Sequence, residues 1–259
     1  MGVAYFRNIY DYRELITALA AKEIKIKYKS AVLGWLWSLL NPLLLMVMFT
    51  LVFTYIIPVA EKNFPVFLLC ALLPWFFLSF SLNSAATSII DNSSLIKKAY
   101  FPYEVIPISV VMANLFNFLI SFLLLFAFLF FFKIYPTGYI LLLPLLVLLQ
   151  SIFVLGVCLG VSALNTMFRD IKYAVELFLI IWFYATPVFY RLSDIPEQFR
   201  GVFYFNPLTM FVTLYRDILL YQRVPDFGLL ALTLAVSIVS LVMGSLIFCS
   251  YKKYFSDVT

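Results

Sequence analysis

Three groups of side chains in this 259-residue chain have the types and spacing to do chemistry. Lys22, Lys25, Lys27 and Lys29 recur every two or three residues, and their ammonium groups suit an anion such as a phosphate. Lys97 and Lys98 are adjacent in a short segment, Asp91-Asn92-Ser93-Ser94-Leu95-Ile96-Lys97-Lys98-Ala99-Tyr100-Phe101-Pro102. Tyr184, Phe189, Tyr190, Phe203, Tyr204, Phe205, Phe211 and Tyr215 crowd one stretch. Such rings sit at the headgroup level of a bilayer, or they stack on the apolar C–H face of a sugar.

Bond-making chemistry is harder to find. The chain has no histidine, which removes Ser-His-Asp catalysis, imidazole metal sites and imidazole proton relays. Cys70, Cys158 and Cys249 lie far apart in apolar runs and read as small hydrophobes. No glycine precedes a lysine, so the phosphate loop G-x-x-x-x-G-K-[ST] is absent, as are G-x-G and G-x-S-x-G. The expectation is no catalytic residue, no metal and no cofactor in this chain. Use of ATP would require a partner to supply that site.

The elements that position these groups follow from composition. The chain is 64% apolar and only 12% charged, more apolar surface than a soluble fold can hide. Charge-free stretches cover residues 30–60, 63–90, 105–132, 134–168 and 227–251, with a further apolar run over 173–190. Each approaches the roughly 20 residues that cross a hydrocarbon core. Segments such as 119–132 are apolar all round, which suits lipid-buried helices and not barrel strands. An all-α integral membrane protein with six transmembrane helices is expected, over 34–58, 64–90, 105–132, 139–166, 173–190 and 227–251. Placing both termini inside puts Arg7, Arg13, Lys22, Lys25, Lys27, Lys29, Lys97, Lys98, Arg169, Lys172, Lys252 and Lys253 on the inner face. Only Lys62, Lys133, Arg191, Arg200, Arg216 and Arg223 then lie outside, so both termini are expected in the cytoplasm. The net charge of +5 belongs to orientation and anionic headgroups; no nucleic acid is expected. A signal peptide is not expected either, because the first apolar run follows a basic segment.

Three connections carry further expectations. Over 10–29, Tyr12, Leu15, Leu19 and Ile26 share a helical face flanked by Lys22, Lys25 and Lys29. An amphipathic interface helix fits, serving as an anion-receiving collar or as a plain basic flank. The alternation over 25–29 also fits a strand. Over 92–101 a short amphipathic helix is expected, capped by Asp91, Asn92 or Ser93 and stopped by Pro102. Leu95, Ile96, Ala99 and Tyr100 fall on one side, for a partner's groove or for the protein's own loops. Over 195–221 a stretch too short to span is broken at Pro196 and Asn206-Pro207. Two re-entrant helices beside a pathway fit it, as does a helix lying flat in the interface. Gly156-x-x-x-Gly160 permits close helix approach without fixing the partner, and Glu176 reads as a coupling carboxylate or, more simply, as a neighbour of Arg169 or Lys172. Trp35 and Trp37 read as belt residues; Trp75 and Trp182 lie too far into their segments for that.

Several stretches together resemble ABC-2 type permeases that export polysaccharides. They are Lys25 through Trp37 (KIKYKSAVLGWLW), Asn41-Pro42-Leu43, Ser94 through Pro102 with Pro107, Arg169-Asp170-Ile171, Thr186-Pro187-Val188-Phe189-Tyr190, Asn206-Pro207-Leu208 and Tyr215-Arg216. Their order and spacing cover nearly the whole chain. The resemblance implies a homodimer joined by two ATP-binding-cassette ATPase subunits, which hold ATP and Mg, in the bacterial inner membrane. The substrate implied is a lipid-linked polysaccharide: O-antigen, capsule or teichoic acid. Ser93, Ser94, Leu95, Ile96, Lys97, Lys98 and Tyr100 would form the coupling helix on the ATPase. Lys22, Lys25, Lys27, Lys29 and Arg169 would receive the pyrophosphate of an undecaprenyl carrier. The eight aromatic residues would line the polysaccharide path. An ABC-2 exporter of a small lipid or drug, and a membrane scaffold without transport, are the alternatives.

Overall fold

A computed structural model describes residues 11–29, 33–56, 61–98 and 100–255. Arg7, Tyr10, residues 30–32, residues 57–58 of the first expected span, Ala99 and the Trp35 side chain lie outside that description. All regular elements among the described residues are helical.

Helix α1 spans Arg13–Tyr28 and α2 spans Trp37–Leu51, lengthened by a wide turn over Val52–Ile56. Helix α3 is Phe64–Asp91, α4 is Ser93–Lys98 and α5 is Val105–Phe131. A tight helical turn at Gly138–Leu142 leads into α6, Leu143–Met167, followed by α7, Ile171–Ala185. Two short helices follow, α8 at Glu197–Tyr204 and α9 at Pro207–Leu219, before α10 at Phe227–Tyr251. Five of these helical segments are long and apolar enough to cross a membrane: Trp37–Ile56, Phe64–Asp91, Val105–Phe131, Gly138–Met167 and Phe227–Tyr254. The chain is a multi-pass membrane protein.

The fifth expected span is shorter than its apolar run. Helix α7 ends at Ala185, and Thr186 is extended (φ −100°, ψ 136°). Pro187 is the reason: it excludes α geometry from the residue before it and donates no hydrogen bond. Fifteen helical residues reach about 22 Å, short of a hydrocarbon core of about 30 Å.

Helix α3 is the centre of the molecule. It is largely apolar and packs against α2, α5, α6, α7 and α9. Its tightest neighbour pair lies elsewhere, where α6 crosses α10. A methyl group on Gly156 would collide with the backbone of Ser240 and Leu241, and one on Gly244 with the Gly156 carbonyl. Ser240 Oγ donates to the Phe153 carbonyl at 2.9 Å across the same crossing. The glycine pair is therefore used within the chain. Cys70 and Cys158 are buried and Cys249 half-buried.

One end of the bundle is rich in lysine, with Lys97, Lys98, Lys252 and Lys253. There Ile16, Leu19, Ile89, Ile96, Phe101, Val105, Ile106, Leu159, Ala163, Phe248 and Phe255 form a second apolar cluster. Lys252 Nζ pairs with the buried Glu104 at 2.9 Å beside it. Helix α1 leaves this cluster and climbs along α5 until Tyr28 Oη donates to Asn117 Oδ1 at 3.0 Å. The expected apolar stripe holds at Tyr12, Leu15 and Leu19, but Ile26 is exposed, because α1 turns its other face to α5 as it climbs. The strand alternative for residues 25–29 is not adopted; the helix continues to Tyr28.

Candidate functional site

Helices α2, α3 and α7 border an open groove of about 550 Å³. Its walls are apolar, from Leu45, Met48 and Phe49 on α2 to Leu179, Ile180 and Phe183 on α7. Three polar groups interrupt them: Ser79, Asn83 and Glu176. Glu176 was expected beside Arg169 or Lys172, yet it forms no ion pair among the described residues. One helical turn carries it away from the loop, so that it faces the groove.

From this groove a run of touching rings leads towards α8. Trp75 meets Phe183 at 5.2 Å between centroids, and Phe49 stacks on Phe183 at 6.3 Å and Phe189 at 5.7 Å. Phe189 meets Tyr190 at 5.2 Å, and Tyr190 meets Phe203 edge-on at 6.1 Å. Tyr184 joins at Phe189, 6.1 Å away, and its carbonyl accepts from Tyr190 Oη at 2.9 Å. Four of the expected path aromatics, Tyr184, Phe189, Tyr190 and Phe203, are thus brought together. Tyr204 and Phe205 stand exposed next to them. Phe211 and Tyr215 are placed differently, fully buried in the core. Phe211 packs on Phe153, and Tyr215 Oη donates to Gln150 Oε1 at 2.9 Å. Their helix, α9, sinks a continuous face against α3, α6 and α10, which spacing alone did not reveal.

Phe49, Trp75 and Phe183 belong to the run but were not expected there. Their signal was present in Trp75 and Trp182, which lie too deep for a belt. Trp75 meets Trp182 edge-on at 6.4 Å. Trp182 Nε1 donates to Asn206 Oδ1 at 2.8 Å. Asn206 also caps α9 by accepting from Leu208 N, and its Nδ2 donates to the Ala185 carbonyl and Thr186 Oγ1. A single carboxamide therefore ties the end of α7 to the start of α9. Nearby, Arg216 is buried over the Phe67 ring at 3.4 Å and donates to the Val188 carbonyl at 2.7 Å.

At the lysine-rich end, Lys22 Nζ donates to Asn92 Oδ1 at 2.9 Å. Lys25 and Lys29 edge an apolar groove between α1 and α5, with Phe116, Ile120 and Leu123. Lys27 lies over the Phe80 ring at 4.8 Å. The helices crowding Lys27 lower its pKa, although much of its own surface stays open. Arg169 is exposed in the α6–α7 turn.

In α4, Ile96 is buried in the protein's own lysine-end cluster and Leu95 is packed against it. Ser94, Lys97 and Lys98 are exposed, Ser93 is half-buried, and Tyr100 is fully exposed, off the apolar side expected for it. The expected side-chain cap is replaced. The Asn92 backbone carbonyl accepts from Leu95 N and Ile96 N, while the Asn92 amide is taken up by Lys22 and the Ser88 carbonyl. Asp91 accepts from Thr87 instead.

The profile of the ABC-2 type transporter family matches residues 14–220. The chain belongs to that family. It is 37% identical to an O-antigen export system permease protein of Myxococcus xanthus over 97% of each chain. It is 33% identical to one of Klebsiella pneumoniae over the whole of both. A polysialic acid transport protein of Escherichia coli is 25% identical over 78% of this chain and 80% of its own length. As an ABC-2 member the chain is a transporter membrane subunit, and its groove and ring run lie within the matched residues.

Proposed function

We propose that this chain is the permease subunit of a polysaccharide exporter, driven by ATP hydrolysis in separate ATPase subunits. The observation that carries the reading is the run of rings from the α2–α3–α7 groove to α8. Aromatic faces spaced in this way suit the apolar faces of successive sugars while holding none tightly. The names of the polysaccharide-exporting relatives support it.

The finer assembly belongs to the same proposal. The lysine-rich end faces the cytoplasm of a bacterial inner membrane, with both termini there. Helix α7 continued by residues 186–190 completes a sixth crossing, and α8 and α9 form the outer re-entrant pair. The groove is open on one side, flanked by exposed Leu44, Met48, Leu177 and Ile181, and a second copy of the chain closes it. Ser93, Ser94, Lys97, Lys98 and Tyr100 present the ATPase-docking face, with Leu95 and Ile96 as its root. The ATPase binds ATP and Mg. Lys22, Lys25, Lys27, Lys29 and Arg169 offer cations to the pyrophosphate of an undecaprenyl carrier, whose chain fits the apolar groove beside Lys25 and Lys29. ATP-driven closure of the ATPase pair moves the docked helices and opens the path between the two permeases.

The test is co-purification with a candidate ATP-binding-cassette ATPase, followed by ATP-dependent export of lipid-linked polymer from vesicles. Failure of the two proteins to associate would overturn the proposal.

A further inference from the structure

Between α2, α3 and α5, running from Lys27 towards the middle of the bundle, lies a pocket of about 230 Å³ that none of the above uses. Its volume equals that of several water molecules at about 30 Å³ each, the scale of one sugar ring. Four carboxamides converge on it: Asn41, Asn83, Asn114 and Asn117. Ser84 and Ser121 add hydroxyls, and Lys27 stands at the edge.

The polar groups are poorly satisfied by the protein. The side chains of Asn41, Asn83 and Ser84 make no hydrogen bond among the described residues. Asn114 is buried; its Nδ2 donates to the Val110 carbonyl at 3.1 Å, leaving its oxygen as an acceptor. Asn117 is buried too; its oxygen accepts from Tyr28, leaving its Nδ2 as a donor. Asn83 sits eight residues before the end of α3, about 12 Å along the axis, inside the roughly 30 Å hydrocarbon span of a helix this long. Polar side chains at that depth are costly unless they serve a ligand or water.

Charge and shape narrow the ligand. No carboxylate lines the pocket, and the Lys27 ammonium at its edge disfavours a cation there. One amine on the edge offers an anion a single contact. Amides that both donate and accept match vicinal hydroxyls, and ring faces form the walls: Phe76 stacks on Phe80 at 5.2 Å, and Phe77 on Phe118 at 5.0 Å. Asn83 lines both this pocket and the α2–α3–α7 groove.

We infer that this pocket holds the sugar joined to the carrier's phosphate, with Lys27 on that phosphate and Asn83 at the junction with the path. The inference rests on the polysaccharide-export reading. It makes the pocket the starting position, from which the next sugars enter the groove.

The permease–ATPase complex in nanodiscs would be titrated calorimetrically with a hexosamine 1-phosphate, inorganic phosphate and the free hexosamine. Asn41 and Asn83 are exposed, so Asn41→Ala with Asn83→Ala should fold. The double variant should weaken hexosamine 1-phosphate roughly tenfold and leave inorganic phosphate unchanged. Asn114→Leu should do the same, and Lys27→Gln should weaken both phosphates. Nanodiscs doped with a polyprenyl-diphosphate hexosamine should suppress binding of the soluble compound, which assigns the sugar to the lipid carrier. Absence of that competition would overturn the carrier assignment. Equal affinities for inorganic phosphate and the sugar phosphate, or an unchanged affinity in both Asn variants, would overturn the sugar site. ATP-driven export in the same complex reads the permease function separately, so export without sugar binding removes the pocket alone.

Discussion

Asn206 shows how much one side chain can organise. It caps α9 and bonds Trp182, the Ala185 carbonyl and Thr186. A cap is worth about 1 kcal/mol, and interhelical hydrogen bonds in membranes about 0.6 kcal/mol each. Asn206→Leu should therefore cost about 3 kcal/mol in thermal unfolding of the detergent-solubilised protein, by these values. Trp182→Phe keeps the ring and loses one bond, so it should cost far less. Equal unfolding temperatures for the two variants and the native chain would contradict the hub. Lys97 and Lys98 act at the same scale but outside the fold. Both are exposed beside the buried Ile96, so Lys97→Glu with Lys98→Glu should leave insertion intact and lower ATPase coupling and export. Undiminished transport would remove the docked helix. The lysine spacing was legible in the sequence. The fate of Tyr100 was not, because the exact turn at which a six-residue helix ends decides which side chains it buries.

Among the elements, the α6–α10 crossing separates a motif from its use. Gly156 and Gly160 look equivalent in sequence. In the fold, a methyl at Gly156 meets rigid backbone, whereas one at Gly160 meets Ile247 Cδ1 at 3.7 Å and Gly244 Cα at 3.8 Å. Gly156→Ala should destabilise by about 1–3 kcal/mol, as overpacking does, and Gly160→Ala should be nearly neutral. Matching unfolding temperatures for the two would count against the crossing. Helix α9 gives the complementary lesson. Its breaks at Pro196 and Asn206-Pro207 were readable, because proline and a capping asparagine act locally. The face it buries was not, since Phe211 and Tyr215 are distinguished from Phe203 only by the neighbours that α3, α5 and α6 supply. Helix α7 combines both cases: its apolar run was legible, while Pro187 decided where the helix stops.

At the scale of the whole molecule, the apolar majority of the chain sets the environment, and the rare polar groups mark what happens in it. The ring run begins at Trp75, near the middle of the central helix, and reaches Phe203 at the opposite end from the lysines. Replacing Phe183, Tyr190 and Phe203 with alanine should shorten or reduce exported polymer while ATP hydrolysis continues. Normal polymer length and yield would identify the rings as a passive belt. The central claim is that this chain, with its ATPase, moves lipid-linked polysaccharide. The most direct measurement places the purified complex in inverted vesicles, loads lipid-linked polymer on the ATPase side and counts polymer protected inside after ATP is added. The account expects ATP-dependent accumulation that the Lys97→Glu, Lys98→Glu variant loses; accumulation independent of ATP, or none with an active ATPase present, would contradict it.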